Sequence, residues 1–300
     1  MLKRTITGLF IFIVVAGFVA LRHFSVLFFD ALALAIMYGA IVEMIKANKV
    51  ANKKVDYAVL FIYPAALASI YIFSTSVLMM IILQIALALV AFCALMVKEL
   101  IRNSILRKKG LIPEDVNEVN ASILNETKNT MQIVIYPTTL IGFLMGLNHF
   151  GLNLGYCLII LAFAISMATD VFAYLFGSMI KGPKMAPEIS PKKSISGMIF
   201  GALGGIIASG LGYLLFVHYG LLGNAFAGFD QKVIIALFVL MGVVGTFLTQ
   251  FGDLVASAFK RKIGIKDFGS IFPGHGGFMD RVDGLMFTTS WIFVLFALLI

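Results

Sequence analysis

Charge is what this chain has least of. Only 13% of its 300 residues are Asp, Glu, Lys or Arg, against 61% hydrophobic. A soluble domain carries about 45–50% apolar and about 25% charged residues, so a water-soluble globule is excluded and an all-α, polytopic membrane protein is expected. Cysteine is nearly absent: Cys93 and Cys157 both fall inside apolar runs, at no spacing that could pair metal ligands. A disulfide framework or a thiolate metal site is therefore excluded, and both read as packing residues. With only 7 prolines and no Pro- or Ser-rich linker, no boundary divides the chain, which reads as one membrane domain over 1–300. Charge is scarcest in the stretches 74–76, 148–153 and 219–232, where Asp230 and Lys232 are the only ionisable side chains apart from His149 and the Tyr219 phenol. Nothing there looks able to do chemistry.

What is present is apolar sequence in long runs. A spanning helix needs about 20 mainly apolar residues, and nine runs approach or exceed that: 5–21, 25–45, 56–73, 77–97, 130–147, 153–177, 198–217, 233–259 and 284–300. The basic residues test the count, because alternate loops must fall on alternate sides. With nine spans, 21 of the 23 Lys and Arg residues lie on the amino-terminal side, leaving Arg22 and Lys232 opposite. By the positive-inside rule, the amino terminus is expected in the cytoplasm and the net charge of +8 at the cytoplasmic face. Such a face suits anionic headgroups or nucleotides, although topology alone would also account for it. Met1 to Ala20 reads as an uncleaved anchor. The polar stretch 102–129 has helical spacing at Val116, Val119, Ile123 and Leu124 after Pro113-Glu114-Asp115, which predicts a short amphipathic helix on the cytoplasmic surface. Pro64 and Pro137 sit inside spans and receive no role.

Polar chemistry concentrates in 257–283. In the eighth span Thr246, Thr249, Gln250, Asp253, Ser257, Lys260 and Arg261 recur at three- and four-residue steps, placing a polar stripe on one helical face. Asp253 lies a helical distance of roughly 10 Å below Lys260, at the membrane edge, where an unpaired carboxylate is expensive and needs a basic side chain or a metal. Thr169-Asp170 in the sixth span is a counterpart at similar depth. Glycines 264, 269, 274, 276 and 277 allow tight turns around His275, and Asp280-Arg281-Val282-Asp283 opens the last helix. Hard cations such as magnesium take oxygen ligands and share them with substrate phosphates. Asp253, Asp280 and Asp283 could hold one or two ions while Lys260, Arg261, Lys266, Arg281 and His275 meet phosphate charge, an arrangement suited to phosphoryl or nucleotidyl transfer. The plainer alternative is that these acids and bases neutralise one another at a helix junction. A second loop from Lys181 to Gly197 holds Pro187 and Pro191, and presents Ser190, Lys192 and Lys193 together as a phosphate contact or a solvated basic loop.

The run Ser257-Ala258-Phe259-Lys260-Arg261, Lys266-Asp267 and Pro273-Gly274-His275-Gly276-Gly277-Phe278-Met279-Asp280-Arg281-Val282-Asp283 resembles the phosphatidate cytidylyltransferase signature. Every fixed position is filled. Likeness extends to Thr169-Asp170 with Phe172-Ala173-Tyr174, and to Ala186-Pro187 with Ile189-Ser190-Pro191-Lys192-Lys193-Ser194, so it covers about 153–300. Departures are Lys181-Gly182, where relatives often have Gly-Lys, and Ser196, where an acidic residue before Gly197 is common. The resemblance implies transfer of CMP from CTP to phosphatidic acid, giving CDP-diacylglycerol and pyrophosphate, with magnesium required and a second cation open. It implies Asp253 and Asp280 as metal carboxylates with Asp283 adjoining. Asp170, Ser190, Lys192, Lys193, Ser257, Gly276 and Gly277 are expected on the substrate side, and the setting is a bacterial cell membrane.

The expected partners are CTP, phosphatidic acid of the cytoplasmic leaflet and membrane lipid, with no nucleic acid and a homodimer left open. Phosphatidic acid is already ionised, so His275 is expected to bind or orient rather than abstract a proton. Two other functions compete: a CTP-dependent kinase of polyprenol or phytol-type alcohols, and a transporter using Asp170 and Asp253 as an ion path. The transporter predicts polar residues across the whole bilayer, whereas these gather at one face.

Overall fold

A computed structural model describes residues 2–109, 116–180, 182–223, 225–226 and 228–299, with backbone alone for 2–5, 107 and 116–123. Lys181 and Pro113-Glu114-Asp115 lie outside the described residues. Helices α1 (Leu2–Leu21), α2 (Val26–Val50), α3 (Tyr57–Phe73) and α4 (Val77–Lys108) are followed by α5 (Val116–Ile133), α6 (Leu140–Asn148) and α7 (Leu152–Met179). A hairpin of β1 (Lys184–Ala186) and β2 (Ser190–Ser194) leads into α8 (Ile195–Tyr213), α9 (Gln231–Ile263), α10 (Met279–Val282) and α11 (Leu285–Ala297). Among the described residues six helices, Val26–Val50, Val77–Leu106, Leu124–Asn148, Leu152–Met179, Ile195–His218 and Gln231–Ile263, are long and apolar enough to cross a membrane. Three shorter apolar helices, Ile6–Leu21, Tyr57–Phe73 and Leu285–Ala297, fall at the remaining expected runs. The chain is an integral membrane protein.

Two expectations change. The stretch before the fifth span is not a separate surface helix: α5 continues directly into the span, because no residue between Val116 and Ile133 interrupts its hydrogen bonds. The second loop, expected as a proline-stiffened turn, is an antiparallel hairpin pairing Lys184 with Ser194 and Ala186 with Ser190. Of the two cysteines, Cys157 is buried as expected, but Cys93 is exposed on α4, whose Leu78, Ile82, Leu89 and Val97 also face outward, as lipid-facing side chains would.

With lipid as apolar as leucine, helices associate through close packing and small residues. The tightest junction is α7–α8–α9. A Cβ placed on Gly205 would lie 1.9 Å from Thr246 Oγ1 and 2.6 Å from Thr169 Oγ1, and those two hydroxyls hydrogen-bond at 2.8 Å. Glycine here lets three helices meet directly beneath Asp170 and Asp253. A second close approach joins α9 to the α10–α11 corner, where a Cβ on Gly252 would meet Asp283 O at 2.3 Å. Thr249 and Thr288 bridge the same two helices with a 2.5 Å contact.

At the opposite end of α2, Arg22 is fully buried and closes the α6–α7 turn. Its Nη1 donates to Leu152 O at 2.6 Å, and its Nη2 to Asn148 O at 2.8 Å and Gly151 O at 3.0 Å. Nε donates to Asn148 Oδ1. Asn148 Nδ2 donates in turn to Val26 O and Asp30 Oδ1, both at 2.8 Å, and Asp30 Oδ2 meets His149 Nε2 at 3.0 Å. Burial lowers the Arg22 guanidinium below its ordinary value, against the pull of Tyr156 and Asp30.

Candidate active site

The site is assembled at the ends of α7 and α9, where the polar stripe leaves the apolar layer. α9 stops at Gly264, which takes the left-handed φ of 82° that glycine adopts at low cost. Lys260, Arg261 and Lys262 occupy its last turn, the favourable end of the helix dipole for cations. Asp253, Asp170, Lys192 and Lys193 line a cavity of about 440 Å³ between α7, α8, α9 and the hairpin. The cation that Asp253 requires is Lys193, whose Nζ lies 3.0 Å from Asp253 Oδ2. Ser194 ends the hairpin and caps α8 by accepting Gly197 N–H at 3.1 Å, fixing where Lys193 points.

Asp283 comes to this cluster from the other side. Because Gly252 permits the close approach, a Cβ on Gly284 would lie only 3.3 Å from Asp253 Oδ1, and Asp283 Oδ1 accepts Gly284 N–H at 3.0 Å. Burial, and then the neighbouring Asp253 charge, pushes the Asp283 carboxyl well above its ordinary range. The Asp253 and Asp283 carboxyls lie within hydrogen-bonding reach of each other, and Asp170 adds to the same negative field. Lys193 and Arg281 are the positive groups acting on Asp170.

Asp280 is arranged differently from its expected grouping. Its Oδ1 meets Lys260 Nζ at 2.8 Å, and its Oδ2 accepts Phe268 N–H at 2.9 Å and Gly277 N–H at 3.0 Å. Only 6% of the residue is exposed, and both oxygens already have protein partners. Asp280 and Lys260 thus form the helix-junction neutralisation that was the plainer reading, and they tie the glycine loop to α9. Lys260 also lies 5.4 Å from the Phe268 ring centroid, a cation–π contact.

The remaining expected residues divide into rim and loop. Arg261, Lys266 and Arg281 are exposed, and Arg261 Nε donates to Ile189 O at 3.3 Å, joining α9 to the hairpin. Ser190 and Ser257 are half-buried. Gly276 takes φ 81°, and a Cβ there would strike Asp280 Oδ2 at 2.7 Å. His275 is half-buried: its ring faces α1, where a Cβ on Gly8 would lie 3.6 Å from Nε2. Thr7 Oγ1 donates to Pro273 O at 3.2 Å on the same side.

No group of three or more His, Cys, Asp or Glu converges as a ready metal cage among the described residues. The oxygen-only pair of Asp253 and Asp283 nonetheless fits magnesium, which is commonly held by one or two carboxylates plus substrate phosphates. Two carboxylates brought this close also need positive charge, and Lys193 touches one of them.

Comparison with known proteins is decisive at the level of family. The model of the cytidylyltransferase family matches residues 2–299. The chain belongs to this family. A phosphatidate cytidylyltransferase of Rickettsia conorii is 39% identical over 139 residues, 46% of this chain and 57% of that protein. One of Staphylococcus aureus (strain COL) is 39% identical over 137 residues, 46% of this chain and 48% of its own length. One of Rickettsia typhi is 39% identical over 136 residues, 45% and 56% of the two chains. The chain spans about half the length of the curated relatives it matches.

Within this cytidylyltransferase-family chain, sequence reasoning missed Glu43. Buried in α2, its two carboxylate oxygens accept Phe278 N–H at 3.0 Å and Met279 N–H at 2.9 Å. A Cβ on Gly269 or Gly277 would lie 2.2 Å or 2.1 Å from Glu43 Oε1, so those glycines make room for it. Glu43 therefore anchors the loop from the amino-terminal half, as Asp280 does from within. An ionisable group inside a spanning helix was the available signal.

Proposed function

We propose that the protein is a phosphatidate cytidylyltransferase, transferring CMP from CTP to phosphatidic acid with release of pyrophosphate. The observation that carries the reading is the cluster of Asp170, Asp253 and Asp283 beside Lys193, with Asp170, Asp253 and Lys193 lining a cavity. The printed names of the relatives support it. A phosphatidate oxygen forms a bond to the α-phosphorus of CTP as the bond from that phosphorus to the bridging oxygen breaks, and pyrophosphate leaves with the electron pair. The nucleophile is already anionic, so no side chain must remove a proton. What remains is positioning and charge neutralisation, which supply most of the catalysis of such transfers.

Lys192 and Lys193 of the hairpin, with Arg261 and Arg281 on the rim, hold phosphate oxygens; Lys266 and His275 contribute from the loop. Magnesium, held by Asp253 and Asp283 with Asp280 joining by exchange of Lys260, would neutralise phosphate charge that the basic residues leave. The site faces the cytoplasm in this reading, where CTP is dissolved and phosphatidic acid lies in the adjoining leaflet. All these groups come from one copy of the chain, so a homodimer is not required.

Purified protein incubated with magnesium, phosphatidic acid and CTP labelled at the α- or the γ-phosphate tests the reading. Alpha label is expected in the lipid and strongly reduced with Asp253→Asn. Gamma label entering a polyprenol or phytol offered in parallel would make the protein a kinase instead, and no transfer by folded protein would overturn nucleotidyl transfer.

A further inference from the structure

Tyr136 sits where the fifth span breaks. The helix passes through a π-helical segment, Val134–Thr139, in which Tyr136 is extended at φ −126° and ψ 107°, followed by Pro137 with no N–H to donate. The carbonyls this frees are retained by neighbours. Thr138 Oγ1 donates to Ile133 O and Thr139 Oγ1 to Val134 O, each at 2.8 Å, and Tyr63 hydroxyl meets Thr139 Oγ1 at 2.9 Å. Irregular backbone at membrane depth is tolerated where it is buried in protein or lines a cavity, and π-bulges recur at functional sites.

The consequence of the break is the placement of one side chain. The Tyr136 ring stacks on Phe259 of α9 at 5.1 Å and leans on Phe287 of α11 at 6.2 Å. The residue is 7% exposed. Its hydroxyl is buried with no hydrogen-bond partner, although Asp283, Asp253 and Asp280 all act on it electrostatically. A buried donor without an acceptor costs about 1–3 kcal/mol, and here its walls are Phe259 of α9, the helix that carries Asp253, and Phe287 of α11, the helix that follows Asp283.

We propose that the Tyr136 hydroxyl donates a hydrogen bond to a phosphoryl oxygen of bound substrate, so that the amino-terminal half of the chain supplies a direct substrate contact. The inference rests on the cytidylyltransferase reading and deepens it. The phosphoryl group belongs either to CTP or to the lipid headgroup, which share this chemistry. Tyr136 keeps its proton throughout: it binds, and does not act as a base.

Tyr136→Phe removes the hydroxyl and leaves the ring stack. A hydroxyl with a structural bond would lower the melting temperature when removed; this one should leave it unchanged or raise it. In the α-label assay kcat/KM should fall about 10- to 100-fold, the range for one lost hydrogen bond to a charged group. Varying CTP at saturating phosphatidic acid, and then the reverse, assigns the contact to the substrate whose kcat/KM falls. Thermal stabilisation by CTP with magnesium, or by phosphatidic acid, should shrink in the same arm. Unchanged kinetics and unchanged stabilisation overturn the proposal, as does a loss of activity matched by a loss of folded protein. If wild-type protein transfers no label but is stabilised by either phosphate compound, and Y136F less so, the contact stands and the reaction falls. Wild type neither active nor stabilised overturns both.

Discussion

Two polar clusters lie at opposite ends of α2, and they are built on opposite principles. At the Arg22 end every guanidinium nitrogen has an acceptor, and Asn148 and Asp30 complete the network with His149. At the other end Asp253 and Asp283 face each other, Asp170 reinforces the same sign, and the Tyr136 hydroxyl has no partner. Polar groups in a membrane protein are costly unless satisfied. The first cluster is satisfied by the fold itself, and so its work is structural. The second is left incomplete by the fold, and what completes it must arrive from outside. Asp280 sharpens the contrast, because it belongs to the signature yet has the satisfied character of the Arg22 end.

Asp253→Asn should break the comparison hardest. Removing one of two opposed carboxylates relieves repulsion, so folded protein should be as heat-resistant as wild type or more so. Label transfer should fall about 10²–10³-fold, the effect of losing one charge-stabilising group at a reacting centre. Equal loss of transfer and of melting temperature would place Asp253 among the structural residues instead. Arg22→Met is the mirror experiment: it strands the carbonyls of Asn148, Gly151 and Leu152, and stability should drop by about 3 kcal/mol. Activity per folded molecule, measured beside thermal unfolding in detergent, should stay near wild type.

The helices were legible because apolar runs of spanning length leave few alternatives: among the described residues six helices are long and apolar enough to cross a membrane, and three shorter ones fall at the other expected runs. The face carrying Asp253 and Lys260 was legible because a period of 3.6 places residues at three- and four-residue steps together. Which acid pairs with which base was not. Lys193 is 60 residues from Asp253 and Lys260 is 20 from Asp280, and both pairings depend on glycines at 205, 252 and 284 whose packing role no spacing rule reveals. Glu43 drew no notice inside an apolar run, and Pro137 received no role. Their partners lie in the other half of the chain, beyond the reach of local pattern. The signature loop is therefore a composite, contiguous in sequence but anchored from α1 by Thr7 and from α2 by Glu43.

Glu43→Gln probes that composite. The amide keeps one acceptor oxygen for the Phe278 and Met279 N–H pair but turns an NH₂ donor toward the other N–H. Loss of about one such bond, near 1.4 kcal/mol, should lower kcat about tenfold. KM for CTP should change less, since Glu43 acts on the loop and not on substrate. A fall confined to KM would move Glu43 into the binding site.

The smallest effect is expected at Asp56, a buried carboxylate that is satisfied by the fold and remote from the signature. It caps α3 by accepting Val59 N–H at 3.1 Å and pairs with Lys98. Burial works to raise its pKa, but Lys98 and the Val59 and Ala58 amides prevail and hold it below the ordinary carboxylate range. A folded-state value below the unfolded one stabilises above the unfolded pKa of about 3.9, and the contribution is lost as pH falls through the folded value. Lys98 is 56% exposed, so solvent screens the pair, and Asn is an equally good cap. Asp56→Asn should therefore cost less than about 1 kcal/mol at pH 7, and the difference from wild type should vanish in acid. A larger cost would mean that Asp56, like Asp280, anchors a junction that the rest of the fold depends on.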